Sequence, residues 1–397
     1  MKTLYRINLM PIEPLLFSDN RSARAGEDHL IRDQDPSPHT IYGAIGANIA
    51  AKVGAEADLS KWEQAREYLG DFVTDIENGS TDRAELIGVY YNDTGDKAWF
   101  PYPRHIMLLK DGENFSTGTA AEIKELKSTI ESSSLADLSH YLYFKPVDSE
   151  TDQEVFFSKE MLKKTLTGTI PVNSPLNSGS DILSSDKIYQ AEIRLGLRMC
   201  NKKNRVREGI LFSRPYRRFA SDIKLENSEW RSASITAYFQ TCKALSEAHL
   251  NKSRLAFLGG DRGRAIISFK EETDKKPLMD LKEEVKKNIA GSRGFFSYLL
   301  TPAVKATGWP QIDGKSPLAA AIGKPMTVSG WNTDRSDSHP RPVLRLIPAG
   351  SVLFYEWNSQ DEAACKELID RRWLEPIASN NQYRNSGFGR ILIGVWK

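Results

Sequence analysis

The chain has 397 residues, 40% hydrophobic and 27% charged, and its 54 Lys and Arg nearly cancel 52 Asp and Glu, leaving a formal charge of +2. That length exceeds one typical core and favours two domains, while the charge balance excludes a uniform polycation. Cys200, Cys242 and Cys365 are too few and too scattered for a disulfide framework or a four-cysteine zinc site, and no stretch approaches the roughly 20 apolar residues of a membrane span, so a cytoplasmic protein with no membrane partner is expected.

The predicted elements begin with a strand over residues 4–9, stopped by Pro11-Ile12-Glu13-Pro14. After a polar loop, Ser37-Pro38 marks a helix start: serine caps, and proline presets the first turn. Ile41, Ala44, Ile45, Asn48 and Ile49 then recur at helical spacing. A helix over 62–72, a strand over 86–91 and an apolar pair at Trp99-Phe100 follow, giving the β-α-β-β order that opens a ferredoxin-like unit. Residues 117–138 read as an inserted, exposed helix, and 174–185 as a mobile loop.

Strands over 192–197 and 209–212 pair as a long hairpin with a cationic tip. Between Arg194 and Arg218 lie nine Lys or Arg against the single Glu208. Such a run suits a phosphate track or a solvated lysine-rich hairpin, and by itself does not choose between them. The second half continues with strands over 254–258 and 265–269, a helix over 278–289, strands over 295–300, 343–347 and 351–356, a helix over 362–370 and a closing strand over 390–396. The expected fold class is α+β, with two ferredoxin-like (RRM-like) units of antiparallel sheet carrying inserted loops and helices. The expected domains are 1–225, with the inserted segment and the basic hairpin, and 226–397.

Two glycine turns in basic surroundings are the leading motifs: Gly259-Gly260-Asp261-Arg262-Gly263-Arg264 and Asn385-Ser386-Gly387-Phe388-Gly389-Arg390. Glycine lets a ligand approach the backbone closely, and the arginines offer partners for an anionic one. Gly259, Gly260, Arg262, Gly263, Arg264, Gly387, Gly389 and Arg390 are therefore candidate RNA-binding residues, with Arg264 and Arg390 as phosphate partners; tight hairpin turns are the plainer alternative. Phe388 is read as a core residue rather than a base-stacking one. Arg21, Arg24 and His29 join the candidates from the loop after the opening strand. His39 and Tyr42 join from the helix start, whose amides either meet a phosphate or seat the helix on its sheet. Lys202, Lys203 and Arg205, at the hairpin tip, are candidate contacts to RNA or a partner.

Gly259-Gly260-Asp261 also matches the Gly-Gly-Asp of palm-domain polymerases, but two-metal chemistry needs a second carboxylate, and Arg262 stands next in the chain. Glu27-Asp28-His29 are adjacent on a loop and cannot all turn inward on one ion. No Walker loop, Gly-x-Ser-x-Gly or zinc spacing occurs. No cofactor, no metal and no catalytic residue is expected.

Nine segments, in this order, resemble a known family: Pro36-Ser37-Pro38-His39-Thr40-Ile41-Tyr42-Gly43-Ala44, Phe100-Pro101-Tyr102-Pro103-Arg104, Glu192-Ile193-Arg194-Leu195-Gly196, Glu208-Gly209-Ile210-Leu211-Phe212, Leu258-Gly259-Gly260-Asp261-Arg262-Gly263, Leu300-Thr301-Pro302-Ala303, Val328-Ser329-Gly330-Trp331, Ile347-Pro348-Ala349-Gly350-Ser351-Val352 and Gly387-Phe388-Gly389. The family is that of the third subunit of the Cmr complex, the type III-B CRISPR RNA-guided effector, within the RAMP superfamily. The resemblance implies a non-catalytic subunit that holds the 5′ tag of the crRNA and joins the large polymerase-like subunit to the RAMP backbone subunits, meeting target RNA only indirectly. Where that family places an arginine after its opening strand this chain has Ser18, so Arg21 is the substitute candidate. RAMP relatives that cut precursor RNA use a histidine, and His29 and His39 keep a second reading open: a metal-independent endoribonuclease that matures CRISPR RNA. A general RNA-binding protein outside CRISPR is a third.

Overall fold

The strand Thr3–Pro11 is the axis of the architecture. It pairs antiparallel with Ser234–Thr241 on one side and Arg264–Glu271 on the other, so that Ile7 faces Ala237 in one register and Phe269 in the other. Tyr5, Ile7 and Leu9, two residues apart, are fully buried on one face. The helix Pro38–Lys52 covers that face with Ile41, Ile45 and Ile49. It starts as the sequence predicts, with Ser37 Oγ accepting from the Thr40 amide at 3.2 Å and proline in the first turn.

This is a computed structural model, and it describes residues 2–18, 33–54, 62–70, 83–111, 114–120, 122–125, 138–143, 154–200, 205–224, 229–252, 254–273, 278–304, 308–329, 343–358, 361–377 and 383–397. Counted along the chain, the four central strands of the first sheet, Thr3–Pro11, Glu85–Asn92, Ser234–Thr241 and Arg264–Glu271, lie in spatial order 4-1-3-2. Ala98–Pro101, Val155–Ser158 and Ile182–Ser184 extend one edge, and Leu255–Phe257 closes the other, making eight antiparallel strands. A second sheet, formed by Gly294–Leu299, Ala319–Ala321, Val352–Glu356 and Ile391–Trp396, has the same 4-1-3-2 order. Its first helix, Met279–Lys287, precedes the first strand instead of following it, and the helix Glu362–Arg372 joins the third and fourth. The fold is α+β, mostly antiparallel sheet.

The two sheets share a core. Leu4, Ile87, Tyr90 and Tyr238 on the second face of the first sheet pack with Phe295, Phe296, Leu392 and Ile393 of the second, together with Leu162 and Leu166 of the helix Lys159–Leu166. Each such side chain removed from water stabilises the fold by about 1.5–3 kcal/mol. Ser234–Thr241 and Arg264–Glu271, both beyond residue 225, flank the opening strand in the first sheet.

Three expectations are corrected. Within 117–138 the described residues form the strands Asn114–Ala120 and Glu122–Glu125, not a helix, and Thr117 is buried with its hydroxyl donating to Pro171 O at 2.8 Å. Within 174–185, Ile182–Ser184 is a sheet strand and Ile182 is fully buried, because polar turn residues here flank an apolar edge strand. The hairpin is longer than expected, a two-stranded ribbon of Tyr189–Cys200 and Arg205–Phe219. Its base is locked into the body, where Leu15 and Arg217 exchange both backbone hydrogen bonds at 2.9 and 2.7 Å. No helix among the described residues is long and apolar enough to cross a membrane.

Candidate nucleic-acid interface

The turn at Gly259 joins the edge strand Leu255–Phe257 to Arg264–Glu271, and its shape is set by contact with the segment that follows the opening strand. Gly259 has φ +79°, and a Cβ there would lie 2.6 Å from the Leu16 carbonyl oxygen. The Gly260 amide donates to that same oxygen at 2.8 Å, and the Gly263 amide donates to Gly260 O at 3.2 Å. Glycine is needed here for close approach, and what approaches is the protein's own backbone.

Side chains of the turn reach in different directions. Asp261 accepts from Arg214 Nη1 at 2.6 Å and from the Tyr216 hydroxyl, which together hold its carboxyl below the ordinary range. The turn is thereby tied to the ribbon. Arg264 is half exposed and bidentate on Glu13, with both nitrogens at 3.0 Å from the carboxylate. Arg262 is exposed and has no ion-pair partner among the described residues.

A cleft of about 250 Å³ opens beside Gly259 and Gly260. Leu16, Phe17 and Ser18 form one wall and the helix start at Ser37 and Thr40 another. The strands Met326–Val328 and Leu344–Ile347, from the second half of the chain, close it. Gln34 spans the seam, its Oε1 accepting from the Thr327 amide at 3.3 Å. Across the register from Thr327 stands Arg345, which is exposed.

Behind the cleft is a buried ionic cluster. Arg217 is 3% exposed; its Nε donates to both oxygens of Asp33 at 2.8 and 2.9 Å, and its Nη1 donates to Asp35 at 2.6 Å. The Tyr91 hydroxyl also donates to Asp35, at 2.9 Å, and the guanidinium lies 4.0 Å from the centre of the Tyr189 ring. Tyr189 in turn donates to Glu154 at 2.8 Å. Burial first, then the Asp35 charge, pushes the Glu154 carboxyl up to about 7.

The structure separates the sequence-predicted site residues. Gly259, Gly260, Arg262, Gly263 and Arg264 stay together at the turn, with Gly259 and Gly260 on the cleft. The second glycine turn is a correction: Gly387, Phe388, Gly389 and Arg390 are all buried. Gly387 has φ +87°, and a Cβ there would meet the Leu86 side chain at 2.8 Å. Arg390 is 2% exposed and donates to Leu86 O, Leu374 O, Arg384 O and Glu85, which rules it out as a phosphate partner in this conformation. Phe388 is core, 4% exposed. Tyr42 is also buried, donating to Ala84 O at 3.0 Å, so the helix start is seated through it. His39 is half-buried beside the Phe388 ring.

Arg21, Arg24, His29, Lys202 and Lys203 lie outside the described residues, as does the side chain of Arg205. Elsewhere the basic run is less open than its composition implies. Arg194 and Arg218 pair with Glu192, Arg214 with Asp261 and Arg217 with Asp33 and Asp35. Sequence reasoning missed Gln34, Asp35 and the strand Met326–Val328, and it gave the expected strand over 343–347 no place at the cleft. A signal was present in Asp33-Gln34-Asp35, polar residues set directly before a helix start, but their partners come from 182 and 293 residues away.

The profile of the CRISPR-associated protein family Cas_Cmr3 matches residues 7–396. The chain belongs to this family. Membership makes it a component of the type III-B CRISPR effector. No curated protein matches the sequence. Among solved structures the chain is similar to one in the type III-B Cmr-beta complex bound to cognate target RNA and AMPPnP, with 14% identity, TM-score 0.48, and 96% of this chain and 94% of that one covered. It is also similar to one in the same complex bound to cognate target RNA, at 14% identity and TM-score 0.46 over 96% and 95% of the two chains.

Proposed function

We propose that this Cas_Cmr3-family chain is a non-catalytic RNA-binding and assembly subunit. It holds the 5′ tag of the crRNA and bridges the large polymerase-like subunit to the backbone subunits in RNA-guided antiviral defence. The observation that carries the reading is the cleft between the two halves of the chain, with the packed glycine turn as its floor and Arg262 and Arg345 exposed beside it. Single-stranded RNA is held by such combinations of a fixed platform, guanidinium groups and small polar pockets. Two ferredoxin-like units are the fold reading that goes with it, supported by the shared 4-1-3-2 strand order.

The test is binding of guide RNA with and without the tag to the assembled effector, prepared with and without this subunit. A tag-dependent gain in affinity that vanishes without the subunit is expected. Equal affinity for tagged and untagged guide would overturn the reading. Specific cutting of repeat RNA by the purified protein in EDTA, lost in His39→Ala, would replace it with the endoribonuclease.

A further inference from the structure

We infer that the cleft beside Gly259 receives one unpaired nucleobase, and that the phosphates on either side of it lie outside, against Arg262 and Arg345. The inference rests on the RNA-binding reading above and deepens it.

Charge decides between base and phosphate. Among the described residues no lysine or arginine lines the cleft, and the one ionisable wall residue is Asp35, an acid. A phosphate entering there would meet the Asp35 carboxylate, already paired with the buried Arg217, and no cation on the described walls. Backbone amides do not compensate, because several at the wall are already engaged: Gly260 N with Leu16 O, Thr40 N with Ser37, and Thr327 N with Gln34.

What the cleft does offer is uncharged and polar. Gln34 accepts from Thr327 through its oxygen, which leaves the two N–H donors of its amide for a ligand. Ser37 Oγ and Thr40 Oγ1 share one hydrogen bond at 2.9 Å and retain further donor and acceptor capacity. Leu16 and Met326 supply apolar walls, and a thioether adapts well to a flat aromatic face. A planar ring with donors and acceptors along its edge fits that lining. Its volume, about 250 Å³, falls below the roughly 300 Å³ at which drug-sized pockets begin, so it suits one ring and not a run of nucleotides.

The exposed arginines complete the arrangement. Arg262 follows Gly260 by two residues, and Arg345 is paired in register with Thr327, so an exposed cation neighbours the lining from each half of the chain. The cleft residues would then set which base is taken, and the arginines the salt dependence.

The experiment scans the tag with single abasic nucleotides in the assembled effector, for the wild type, Gln34→Glu and the double variant Arg262→Gln/Arg345→Gln. Gln34→Glu keeps the acceptor for Thr327 while replacing the ligand-facing donors, so the seam stays bonded. In the wild type, one abasic position is expected to lose roughly tenfold in affinity, the size of a single base contact. Gln34→Glu should bind the intact tag about that much more weakly and become insensitive to the same abasic position. The arginine variant should keep that sensitivity and show a shallower salt dependence. Tag binding with no abasic position coupled to Gln34 would overturn the inference while leaving the proposed function standing. Weaker tag binding by a Thr40→Val variant, equal at every abasic position, would point to phosphate in the cleft and overturn it too. Absence of any tag dependence in the wild type would remove the proposed function itself.

Discussion

Arg390 and Glu85 meet at 2.6 Å across 305 positions of sequence, with the guanidinium almost wholly buried and the carboxylate nearly so. The pair fastens the last strand of the second sheet to the Glu85–Asn92 strand of the first, and three carbonyl oxygens, of Leu86, Leu374 and Arg384, take the other guanidinium donors. Burial pushes the Glu85 carboxyl up, but the Arg390 charge and hydrogen bond outweigh it, and the net direction is down. A buried guanidinium is tolerated because every side of it is matched.

Removing Arg390 therefore acts on the joint between the sheets. Arg390→Ala leaves three carbonyls unmatched and the largely buried Glu85 carboxylate with only the longer 3.6 Å pairing to Arg384, and a loss of about 3–5 kcal/mol is expected. Arg390→Lys should recover little, since one ammonium cannot replace a planar fork addressing four acceptors. Urea titration of both variants checks this. A change below 1 kcal/mol, with weakened RNA binding by the folded protein, would return Arg390 to the RNA surface.

The buried cluster behind the cleft predicts a pH dependence. Glu154 normally titrates near 4.5, whereas its folded value is about 7. Between those values the folded protein holds a proton that the unfolded chain has released, so this group makes stability fall as pH rises through that window. The expected contribution is at most about 3 kcal/mol. Glu154→Gln keeps an acceptor for Tyr189 and should remove that component, so melting curves at pH 5 and pH 8 should differ less for the variant than for the wild type. Parallel pH profiles would show that Glu154 is ionised in the folded protein.

How far the sequence alone reached follows from what kind of contact shapes each part. The cap at Ser37 and the period-two burial of Tyr5, Ile7 and Leu9 depend on neighbours in the chain, and their patterns are readable there. Residues 117–138 misled because Ala, Glu and Lys favour helix locally, while pairing of Ser116 and Thr117 with Leu109 and Leu108 fixes a strand. The two glycine turns look alike in sequence and differ in burial. One faces a cleft and the other lies against Leu86, a contact made between opposite ends of the chain. Local pattern carries no information on that difference. The same holds for the basic run, whose acidic partners Asp33, Asp35 and Asp261 come from elsewhere in the chain.

Gly259→Ala separates two costs of substituting a glycine. Gly259 and Gly291 both have positive φ, +79° and +74°, but a Cβ at Gly291 meets nothing within 4 Å. Gly291→Ala should cost about 1 kcal/mol, the strain of a left-handed residue alone. Gly259→Ala adds the clash with Leu16 O and should cost about 1–3 kcal/mol more. Denaturant midpoints for the pair measure the difference. Equal losses would mean that the turn stands away from Leu16 in solution.

Asp261 holds the ribbon to the turn through Arg214 and Tyr216, and all three side chains are partly exposed. A pair so placed contributes little to global stability, so Asp261→Asn should change it by less than about 1 kcal/mol. Its effect should instead be local and electrostatic. Amides of the ribbon base near Arg214 should exchange faster with deuterium, because one anchor of the ribbon is weakened while the Leu15 to Arg217 backbone pairing persists. Arg214, with one carboxylate fewer beside it, should also attract phosphate more strongly, steepening the dependence of RNA affinity on salt by at most about one contact. Unchanged exchange together with an unchanged salt slope would show that the ribbon is held by its backbone pairing alone and that Arg214 does not face RNA.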